Sequence, residues 1–385
     1  MEIRQLTSEE QRLLEKTKTF ARNHVTPLAA QWENDRRVPV ESYRVAAELG
    51  LTAVMIPPDL GGMGASHIAT AKILEEIAAG CMAFAMGLWV QNNVANSIVR
   101  NGTPDQIDKF LPRMLKGECI GAFCLTEPHA GSDAAAIVTR AEKNGSEWEL
   151  RGEKAWVVHG PVANVFCVYA QTDPNAGWRG IAAFLVEDAT PGIERGDSFP
   201  LMGCHALGSN SVIFDKVRVP EENLLVKPGE GFKAALVGIN KARTFIAAKC
   251  CGILADSLRI ALNYASKRKA FHQPVLDFQG LQWELADVAT NLEAARCLTY
   301  HAANALDRGE AAILESAHAK KFASQAALTG ISACMEAMGA AGFRTDYPLV
   351  RHLASAKMSK YLDGTTGIHN VIIGRSLLES YGGEG

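Results

Sequence analysis

The sequence predicts a mainly α-helical fold interrupted by a middle β domain. Apolar side chains recur with the 3.6-residue period of a helix near both ends of the chain. Between these regions, short runs rich in β-branched and aromatic residues alternate with turn sequences. We therefore expect an N-terminal helical domain over 1–121, a β domain over 122–232 and a C-terminal helical bundle over 233–385.

The N-terminal domain is predicted from helices with recognisable ends. Ser8 is the expected N-cap of a first helix, because acidic residues follow it in "SEEQRLLEKTKTFARNHV". The segment "TPDQIDKFLPRMLKGE" has the same form and stops at a glycine.

The β domain is predicted from four runs separated by turns such as "KNGS" and "TPGI": "EWELRGEKAWVV", "NVFCVYAQT", "IAAFLVE" and "SVIFDKVRVP". Their spacing favours an antiparallel sheet or a small barrel over βαβ units. The later segment "GEGFKA" fits the GxGxxA pattern of dinucleotide-binding proteins only nominally. It follows what we expect to be a loop, so a Rossmann domain is not predicted.

The C-terminal bundle is predicted from a regular apolar seam. Its side chains are spaced by four and three residues, as in packed helices: Leu281, Leu285, Val288, Leu292 and Ala295. The composition agrees, since 385 residues with 48% hydrophobic side chains can bury a large core divided into two or three subdomains.

Composition also limits the partners. The net charge is −3 and no basic stripe or Lys/Arg run stands out, so a nucleic acid is not expected. The polar start "MEIRQLTSEEQRLL" is not a signal peptide, and no apolar run is long enough to cross a membrane. Nine dispersed cysteines indicate reduced thiols in a cytoplasmic protein, and ten dispersed histidines predict no metal site.

Two polar stretches are candidate functional sites. A polar, glycine-containing turn directly after an apolar run is formed by Thr126, Glu127, Gly131, Ser132 and Asp133. Such turns present N–H groups and hydroxyls to an anion or a heteroaromatic edge. An ordinary strand-to-turn transition is the alternative. Trp156, in the following strand, could stack on a ring or pack in the core. Asp363, in "KYLDGTTGIHN", lies in either a surface turn or a site that uses its carboxylate.

Five motifs, in order along nearly the whole chain, resemble those of the acyl-CoA dehydrogenase flavoproteins. "LTEPHAGSD" resembles the family's TEPxxGSD, and "GEKAWVV" its GxKxWIT strand. "YASKRKAFHQPV", "MEAMGAAGF" and "YLDGTTGIHNVIIGR" resemble YxxxRxxFGxPI, QxxGGxGF and YEGTxxIxxxxIxR. The resemblance implies an acyl-CoA dehydrogenase-like fold with a C-terminal four-helix bundle, FAD as cofactor and an acyl-CoA thioester as substrate. It also implies a homotetramer that passes electrons to an electron-transferring flavoprotein.

Matching the motifs residue by residue implies cofactor contacts. The residues implied for the flavin are Leu125, Thr126, Gly131, Ser132, Trp156 and Val158, although Val158 lacks the hydroxyl usual in the family. Arg268 and Phe271 would reach the FAD of a neighbouring subunit, where an arginine suits a pyrophosphate. Gly339 and Thr365 would complete the ADP and phosphate contacts.

The resemblance further implies that Asp363 is the catalytic base. It would remove the Cα proton while a hydride leaves Cβ for the flavin N5. The family usually has a glutamate here, and aspartate is one methylene, roughly 1.5 Å, shorter. Ala242 occupies a second family position for the base, so no glutamate replaces it there. Arg243 is expected to orient or charge-stabilise Asp363.

The acyl pocket is expected along the helix "CMAFAMGLWVQNN" and near the base. The implied residues are Trp89, Gln91, Asn92, Asn93, Ala242 and Gly364. Trp89 would shorten the pocket and favour a short, branched or cyclic acyl group. Alternatively, Trp89 packs in the core and the asparagines form a solvated helix face. Ala85 stands where the glutaryl-CoA branch has an arginine, so glutaryl-CoA is not expected.

Two other functions stay open. The substrate thioester could be carried by an acyl carrier protein of a biosynthetic pathway instead of CoA. Alternatively, the shorter base and the missing hydroxyl could belong to a family member with a different elimination chemistry or without turnover.

Overall fold

The N-terminal domain consists of helices packed around the start of the bundle. The structure, a computed structural model, describes residues 4–381. The helices are α1 (Ser8–Phe20), α2 (Thr26–Asp35), α3 (Val40–Glu48), α4 (His67–Gly80), α5 (Met82–Asn101) and α6 (Pro104–Leu115), with a π-helical turn over Ala21–Val25 between α1 and α2. Within 4–381, no helix is long and apolar enough to cross a membrane.

The helix ends follow their sequence signals with one correction. Thr7, and not Ser8, caps α1, because the Thr7 hydroxyl accepts from Glu10 N at 3.2 Å and the Glu10 carboxylate accepts from Thr7 N at 2.8 Å. This reciprocal capping box satisfies two backbone donors. The same box joins Thr103 and Gln106 at the start of α6, which ends, as expected, just before a glycine.

The middle domain is one sheet in which most neighbouring strands are antiparallel. Its strands are β1 (Gly121–Cys124), β2 (Arg140–Asn144), β3 (Glu147–Val157), β4 (Val165–Gln171), β5 (Ile181–Glu187), β6 (Ile193–Arg195), β7 (Asn210–Pro220) and β8 (Leu224–Val226). Their order is β6-β7-β3-β2-β4-β5-β8, with β1 beside β4. The pairs β1–β4 and β2–β4 are parallel, which the alternating pattern did not predict.

The "GEGFKA" segment does not belong to a Rossmann unit. The strand β8 precedes it, where only a loop was expected, and it pairs antiparallel with β5. The chain then turns at Gly229 and enters α7 at Gly231. A dinucleotide-binding unit needs a parallel strand–helix–strand arrangement, so the glycines here serve the turn into the bundle.

The C-terminal domain is a bundle built on two long helices. It contains α7 (Gly231–Lys267), α8 (Gln279–Asp307), α9 (Ile313–Ala337), α10 (Leu349–Ser359) and α11 (Thr366–Tyr381), with the short hairpin β9 (Lys269–Ala270) and β10 (Gln273–Pro274) after α7. Of the predicted seam, Leu285, Val288, Leu292 and Ala295 are buried, and Leu281 packs against them partly exposed.

Helix α7 also packs closely against α4 of the N-terminal domain. A Cβ added at Gly252 would lie 2.1 Å from the backbone oxygen of Glu75, a distance no side chain tolerates. The absence of a side chain at Gly252 therefore lets the two helix backbones approach. Buried residues of the N-terminal helices and of α7 pack in the same apolar cluster, so the two domains share one core.

Candidate active site

A buried ion pair fixes the polar turn that follows β1. Glu127 and Lys154 bond at 2.7 Å (Oε1 to Nζ), and both side chains are almost fully buried. Lys154 also donates to the carbonyl of Leu125, while the Glu127 carboxylate accepts from the N–H groups of Val138 and Thr139. Every charge in this network has a partner, which is what a buried pair needs to be tolerated.

The pKa of Glu127 follows from these contacts. Burial alone would raise its pKa, but the charge of Lys154 and the hydrogen bonds outweigh burial and leave the pKa below its usual value. Glu127 therefore stays ionised and engaged. The sequence placed Glu127 in the turn but did not predict Lys154 as its partner, because the two residues lie in segments that are distant along the chain.

The turn and β3 form an open shelf, which we define as Leu125, Thr126, Gly131, Ser132 and Trp156. Ala155 N donates to Thr126 O at 2.9 Å, so the strand and the turn are joined. The Trp156 ring is 58% exposed, which excludes core packing, and its backbone has a positive φ of 59°. A side chain added at Gly131 would meet nothing within 4 Å. An exposed indole beside an open polar turn suits a flat heteroaromatic ligand.

The other residues implied for the cofactor differ from the shelf residues in their surroundings. Val158 is buried in the same apolar cluster as residues of α5 and α7, so the end of β3 is packed against the helices. Arg268 is exposed at the end of α7, Phe271 is 86% exposed, and Gly339 has an exposed backbone with a φ of 59°. Thr365 has a local role, because its hydroxyl accepts from Ile368 N at 3.4 Å at the start of α11.

Two cations hold the turn that carries Asp363. Arg243 Nε of α7 donates to the backbone oxygen of Asp363 at 2.9 Å. Lys320 Nζ of α9 donates to the oxygen of Gly364 at 2.6 Å and lies 3.1 Å from His369 Nε2. Asp363 has a φ of 48°, a conformation that non-glycine residues adopt rarely and that aspartate tolerates better than most. Arg243 thus orients Asp363 through its backbone and leaves the carboxylate free.

The carboxylate of Asp363 is inside the protein without a complete set of partners. Its Oδ2 is covered and makes no hydrogen bond, although the residue as a whole is partly accessible. Burial raises the pKa of Asp363, against the opposing charges of Lys320, Lys249 and Arg243. A carboxylate held this way is a stronger base than one in water, and it has a lone pair free to accept a proton.

Two buried lysines near Asp363 were not predicted. Lys249 of α7 is fully buried, and burial lowers its pKa to about 7. Burial also lowers the pKa of Lys320 to about 8, and the pKa of His369 to about 3, so His369 is neutral and can accept from Lys320. The signal for Lys249 was a single charge inside the apolar run "FIAAKCCGIL".

On the helix expected to line the acyl pocket, Trp89 is packed in the core. Trp89 is 2% exposed and packs against Phe245 with ring centroids 4.4 Å apart, in a cluster that includes Ala242. Its indole Nε1 is buried without a hydrogen-bond partner. The residue is therefore core-packed, as one alternative held, and it fills the space next to Ala242.

Gln91 and Asn92 require a correction. Gln91 accepts from Gly121 N and donates to two backbone oxygens before β1. Asn92 accepts from Val54 N and donates to two backbone oxygens. Both are buried and bonded to backbone, so neither lines an open pocket, and Asn92 does not belong to a solvated face. Polar side chains at these helix positions looked exposed in sequence, but loops cover them. Asn93 lies half-buried against Gly238 of α7.

Taken together, the fold and the site define a class of enzyme. The fold presents an exposed indole beside an open polar turn and, in the bundle, a carboxylate whose Oδ2 has no partner. An electron-accepting ring and a base are the two groups that remove hydrogen from a carbon–carbon bond. This is the design of a flavin-dependent oxidoreductase. The chain belongs to the acyl-CoA dehydrogenase family, since the family's N-terminal, middle and C-terminal domain models match residues 7–118, 122–217 and 229–378. Enzymes of this family use FAD and act on CH–CH groups, and this chain is one of them.

Similar proteins cover the full length of the chain. The short-chain specific acyl-CoA dehydrogenase of Rattus norvegicus is 36% identical over 98% of this chain and 92% of its own. The acryloyl-CoA reductase (NADH) of Anaerotignum propionicum is 35% identical over 97% and 95%. The relatives therefore include proteins named for opposite directions of reaction.

Solved structures share the fold closely. Butyryl-CoA dehydrogenase from Megasphaera elsdenii has a TM-score of 0.94 at 32% identity, covering 98% of this chain and 100% of its own. A glutaryl-CoA dehydrogenase from Mycobacterium smegmatis in complex with FADH2 has a TM-score of 0.92 at 28% identity, covering 97% and 95%. A prolyl acyl carrier protein oxidase has a TM-score of 0.92 at 26% identity, covering 97% and 100%.

Proposed function

We propose that this enzyme introduces an α,β double bond into a short, branched or cyclic acyl thioester, with Asp363 as the base. The observation that carries the proposal is the Asp363 carboxylate, whose buried Oδ2 lacks a partner on a turn held by Arg243 and Lys320. A structural carboxylate would be bonded, as Glu127 is. A carboxylate kept free inside a protein is available to a reacting group.

The shelf fits FAD. The exposed Trp156 ring and the open turn at Gly131 leave a flat surface with polar edges, so Leu125, Thr126, Gly131, Ser132, Trp156 and Val158 would hold the isoalloxazine. Arg268, Phe271, Gly339 and Thr365 would hold the rest of the cofactor, the first two on a neighbouring subunit. When bound, FAD accepts the hydride that leaves Cβ.

The protein's own groups position and move the proton. Asp363 accepts the proton from Cα, and its raised pKa makes it an effective acceptor once ionised. Arg243 and Lys320 keep the turn in place by bonding its two carbonyls. Because aspartate is about 1.5 Å shorter than glutamate, Cα must lie closer to this turn than a glutamate would need.

The proposed limit on acyl length comes from Trp89. Its ring and Phe245 close the space beside Ala242 on α7. Rings packed this closely leave no space beside Ala242 for an extended chain, which favours a short, branched or cyclic group. Trp89→Ala should admit longer chains, whereas a preference of the unaltered enzyme for acyl groups beyond about ten carbons would contradict the assignment.

The test of the proposed function is a panel of acyl-CoA thioesters mixed anaerobically with the purified enzyme. We expect a yellow protein with about one FAD per chain, as the single shelf implies, and loss of flavin absorbance with short or branched thioesters. A protein that takes up no FAD would disprove the site. A yellow protein bleached by no CoA or carrier-protein thioester would disprove the reaction.

Several partners follow as part of the same proposal. Exposed aromatic rings at Phe271 and Phe343, 86% and 81% accessible, suit burial against other subunits of a homotetramer. An electron-transferring flavoprotein would accept the electrons. Nine free thiols suit the reducing cytoplasm. The domain limits 1–121, 122–232 and 233–385 stay a prediction.

A carrier-protein substrate is the second candidate. It is favoured by the similarity to a prolyl acyl carrier protein oxidase over 97% of this chain. The two substrates differ in what lies beyond the shared thioester arm, so the same acyl group presented on CoA and on a carrier protein separates them. A family member with non-standard chemistry or no turnover would retain FAD and bind thioesters without bleaching.

A further inference from the structure

Lys249 is a buried lysine for which the proposed reaction has no use. It lies in the middle of α7, its side chain is fully covered, and Nζ has no hydrogen-bond partner. A buried charge without a partner costs several kcal/mol, whereas an apolar side chain of similar length would fill the same space at no such cost. Packing therefore does not explain the residue.

The charges around Asp363 do not balance. Lys320, Lys249 and Arg243 all act on this one carboxylate, and His369 is neutral because burial lowers its pKa to about 3. Arg243 and Lys320 are bonded to the carbonyls of the turn. Lys249 is bonded to nothing, so it makes no hydrogen bond with Asp363 either. The site has an excess of positive charge and one cation with free donors.

The position of Lys249 connects it to the acyl pocket. Ala242, Phe245 and Lys249 follow at i, i+3 and i+7 on α7, so they share one face of the helix. Ala242 and Phe245 form the apolar cluster with Trp89. Lys249 therefore lies about one turn beyond the residues that we assign to the acyl group, on the same face of α7, and its charge acts on Asp363.

We propose that Lys249 binds a carboxylate on the acyl group, so that the substrate is a short acyl thioester with a second, negatively charged end near the reacting carbons. This inference rests on the proposed function and names its substrate class. The ammonium supplies the donors and charge that a carboxylate needs in a dry site. Because Lys249 lies near Asp363, the carboxylate belongs on Cα or Cβ and not at the end of a long chain.

The carboxylate takes no part in the bond changes. The Cα–H bond breaks and its proton goes to Asp363, the Cβ–H bond breaks and its hydride goes to FAD, and a carbon–carbon double bond forms. Lys249 is thus a specificity residue. It differs in place from Ala85, which lies fully buried on α5 and offers no charge.

The test compares thioesters that differ only by a methyl and a carboxylate. Butyryl-CoA and succinyl-CoA form one pair, and isobutyryl-CoA and methylmalonyl-CoA form the other. Binding to the FAD-loaded enzyme is measured by calorimetry, and reduction by loss of flavin absorbance. We expect the carboxylated member of at least one pair to bind about 10–100-fold more tightly, the range for a charged hydrogen bond.

Variants assign the preference to the residue. Lys249→Met should reverse the preference, and Lys249→Arg should retain it in part. Lys241→Met is the matched control, since Lys241 is a half-buried lysine of the same helix outside the site, and it should leave the preference unchanged.

Two outcomes would overturn the inference. One is a preference for the methyl member of both pairs that Lys249→Met leaves unchanged, in which case Lys249 only sets the ionisation of Asp363. The other is tighter binding of 3-hydroxybutyryl-CoA than of either carboxylated thioester, lost in Lys249→Met, which would assign a hydroxyl instead. In both cases bleaching by simple acyl-CoAs would still support the proposed function, so the two failures are distinguishable.

Discussion

The protein buries a carboxylate and a lysine together in two places, and they are hydrogen-bonded in one place but not in the other. In the β domain, Glu127 and Lys154 bond at 2.7 Å, and backbone groups satisfy both further. In the bundle, Asp363 and Lys249 influence each other's pKa, yet Asp363 Oδ2 and Lys249 Nζ have no partner. The first pair holds a turn in shape. The second leaves a donor and an acceptor free for a ligand.

The pKa directions record this difference. The pKa of Glu127 lies below its usual value although burial opposes that, while burial raises the pKa of Asp363. Burial is the largest influence in both places. At Glu127 the charge of Lys154 and the hydrogen bonds together outweigh it, whereas at Asp363 only the charges of neighbouring cations oppose it. A buried acid with its bonds made is inert, and one without them can exchange a proton.

The largest expected effect is on the rate of flavin reduction in Asp363→Asn. Asparagine retains the shape and tolerates positive φ, but it cannot accept the proton. The rate should fall by about 10²–10⁴-fold while FAD and thioester binding remain, as measured by stopped-flow absorbance and calorimetry. An unchanged rate would place the base elsewhere.

Asp363→Glu sharpens the same test, because its extra methylene moves the carboxylate by about 1.5 Å. If the substrate sits in the pose usual for the family, the variant should retain or raise activity on simple acyl-CoAs. If the native substrate needs the shorter reach, the variant should slow that substrate and accelerate simple ones.

The next effect is on stability, in Lys154→Met. Removing the lysine leaves Glu127 buried with an unpaired charge, which should lower the free energy of unfolding by about 3–5 kcal/mol. Denaturant unfolding measures this loss. Glu127→Gln combined with Lys154→Met is the control, since removing both charges should recover part of it. If the double variant loses as much stability as Glu127→Gln and Lys154→Met lose separately when added together, Glu127 and Lys154 are not coupled.

Lys249→Met should raise the free energy of unfolding, which is the opposite of the effect expected for Lys154→Met. The pKa of Lys249 is about 7 in the folded protein against an ordinary 10.5, so between these values only the unfolded chain holds the proton. The lysine therefore destabilises the fold fully below about pH 7 and progressively less as pH rises to 10.5. The variant should gain about 1–4 kcal/mol near neutral pH.

The gain in Lys249→Met should shrink towards pH 10, which unfolding curves at several pH values would show. A loss of stability at pH 7 would mean that Lys249 has a structural bond like that of Lys154, and the contrast between the two pairs would no longer hold.

The smallest effect concerns an exposed charge outside both pairs. Arg268→Ala should weaken FAD binding by about 1–3 kcal/mol, the value of a charged hydrogen bond, and leave the free energy of unfolding of the FAD-free protein nearly unchanged. Flavin release followed by fluorescence measures the first quantity. Lys267→Ala, the adjacent exposed cation, is the control. Equal FAD affinity in both variants would show that the implied contact is wrong.

Local signals in the sequence predicted the elements, and the tertiary contacts were missed. The capped helix α6 and the apolar seam of α8 depend on residues a few positions apart, so their patterns were visible. The partnership of Glu127 with Lys154, and the approach of Lys249 and Lys320 to Asp363, join distant segments that no local period encodes.

The prediction for the amide side chains of α5 was wrong for a related reason. Gln91 and Asn92 have the composition of a solvated face, and only the loops that fold over them show that their partners are backbone groups. Asp363 was found because its motif resembles a family pattern. Its role as the base remains a prediction.

The contact at Gly252 makes the geometry of the active site depend on a place outside it. The position of helix α7 is fixed where its backbone, at Gly252, contacts the backbone of Glu75 on α4. Lys249 lies less than one turn from this contact and Arg243 about two and a half turns from it. A methyl group added at Gly252 would therefore push α7 away from α4 and displace Lys249 and Arg243 together, with no change in any reacting group. The alignment of the active-site residues therefore depends on how the N-terminal domain packs against the C-terminal bundle.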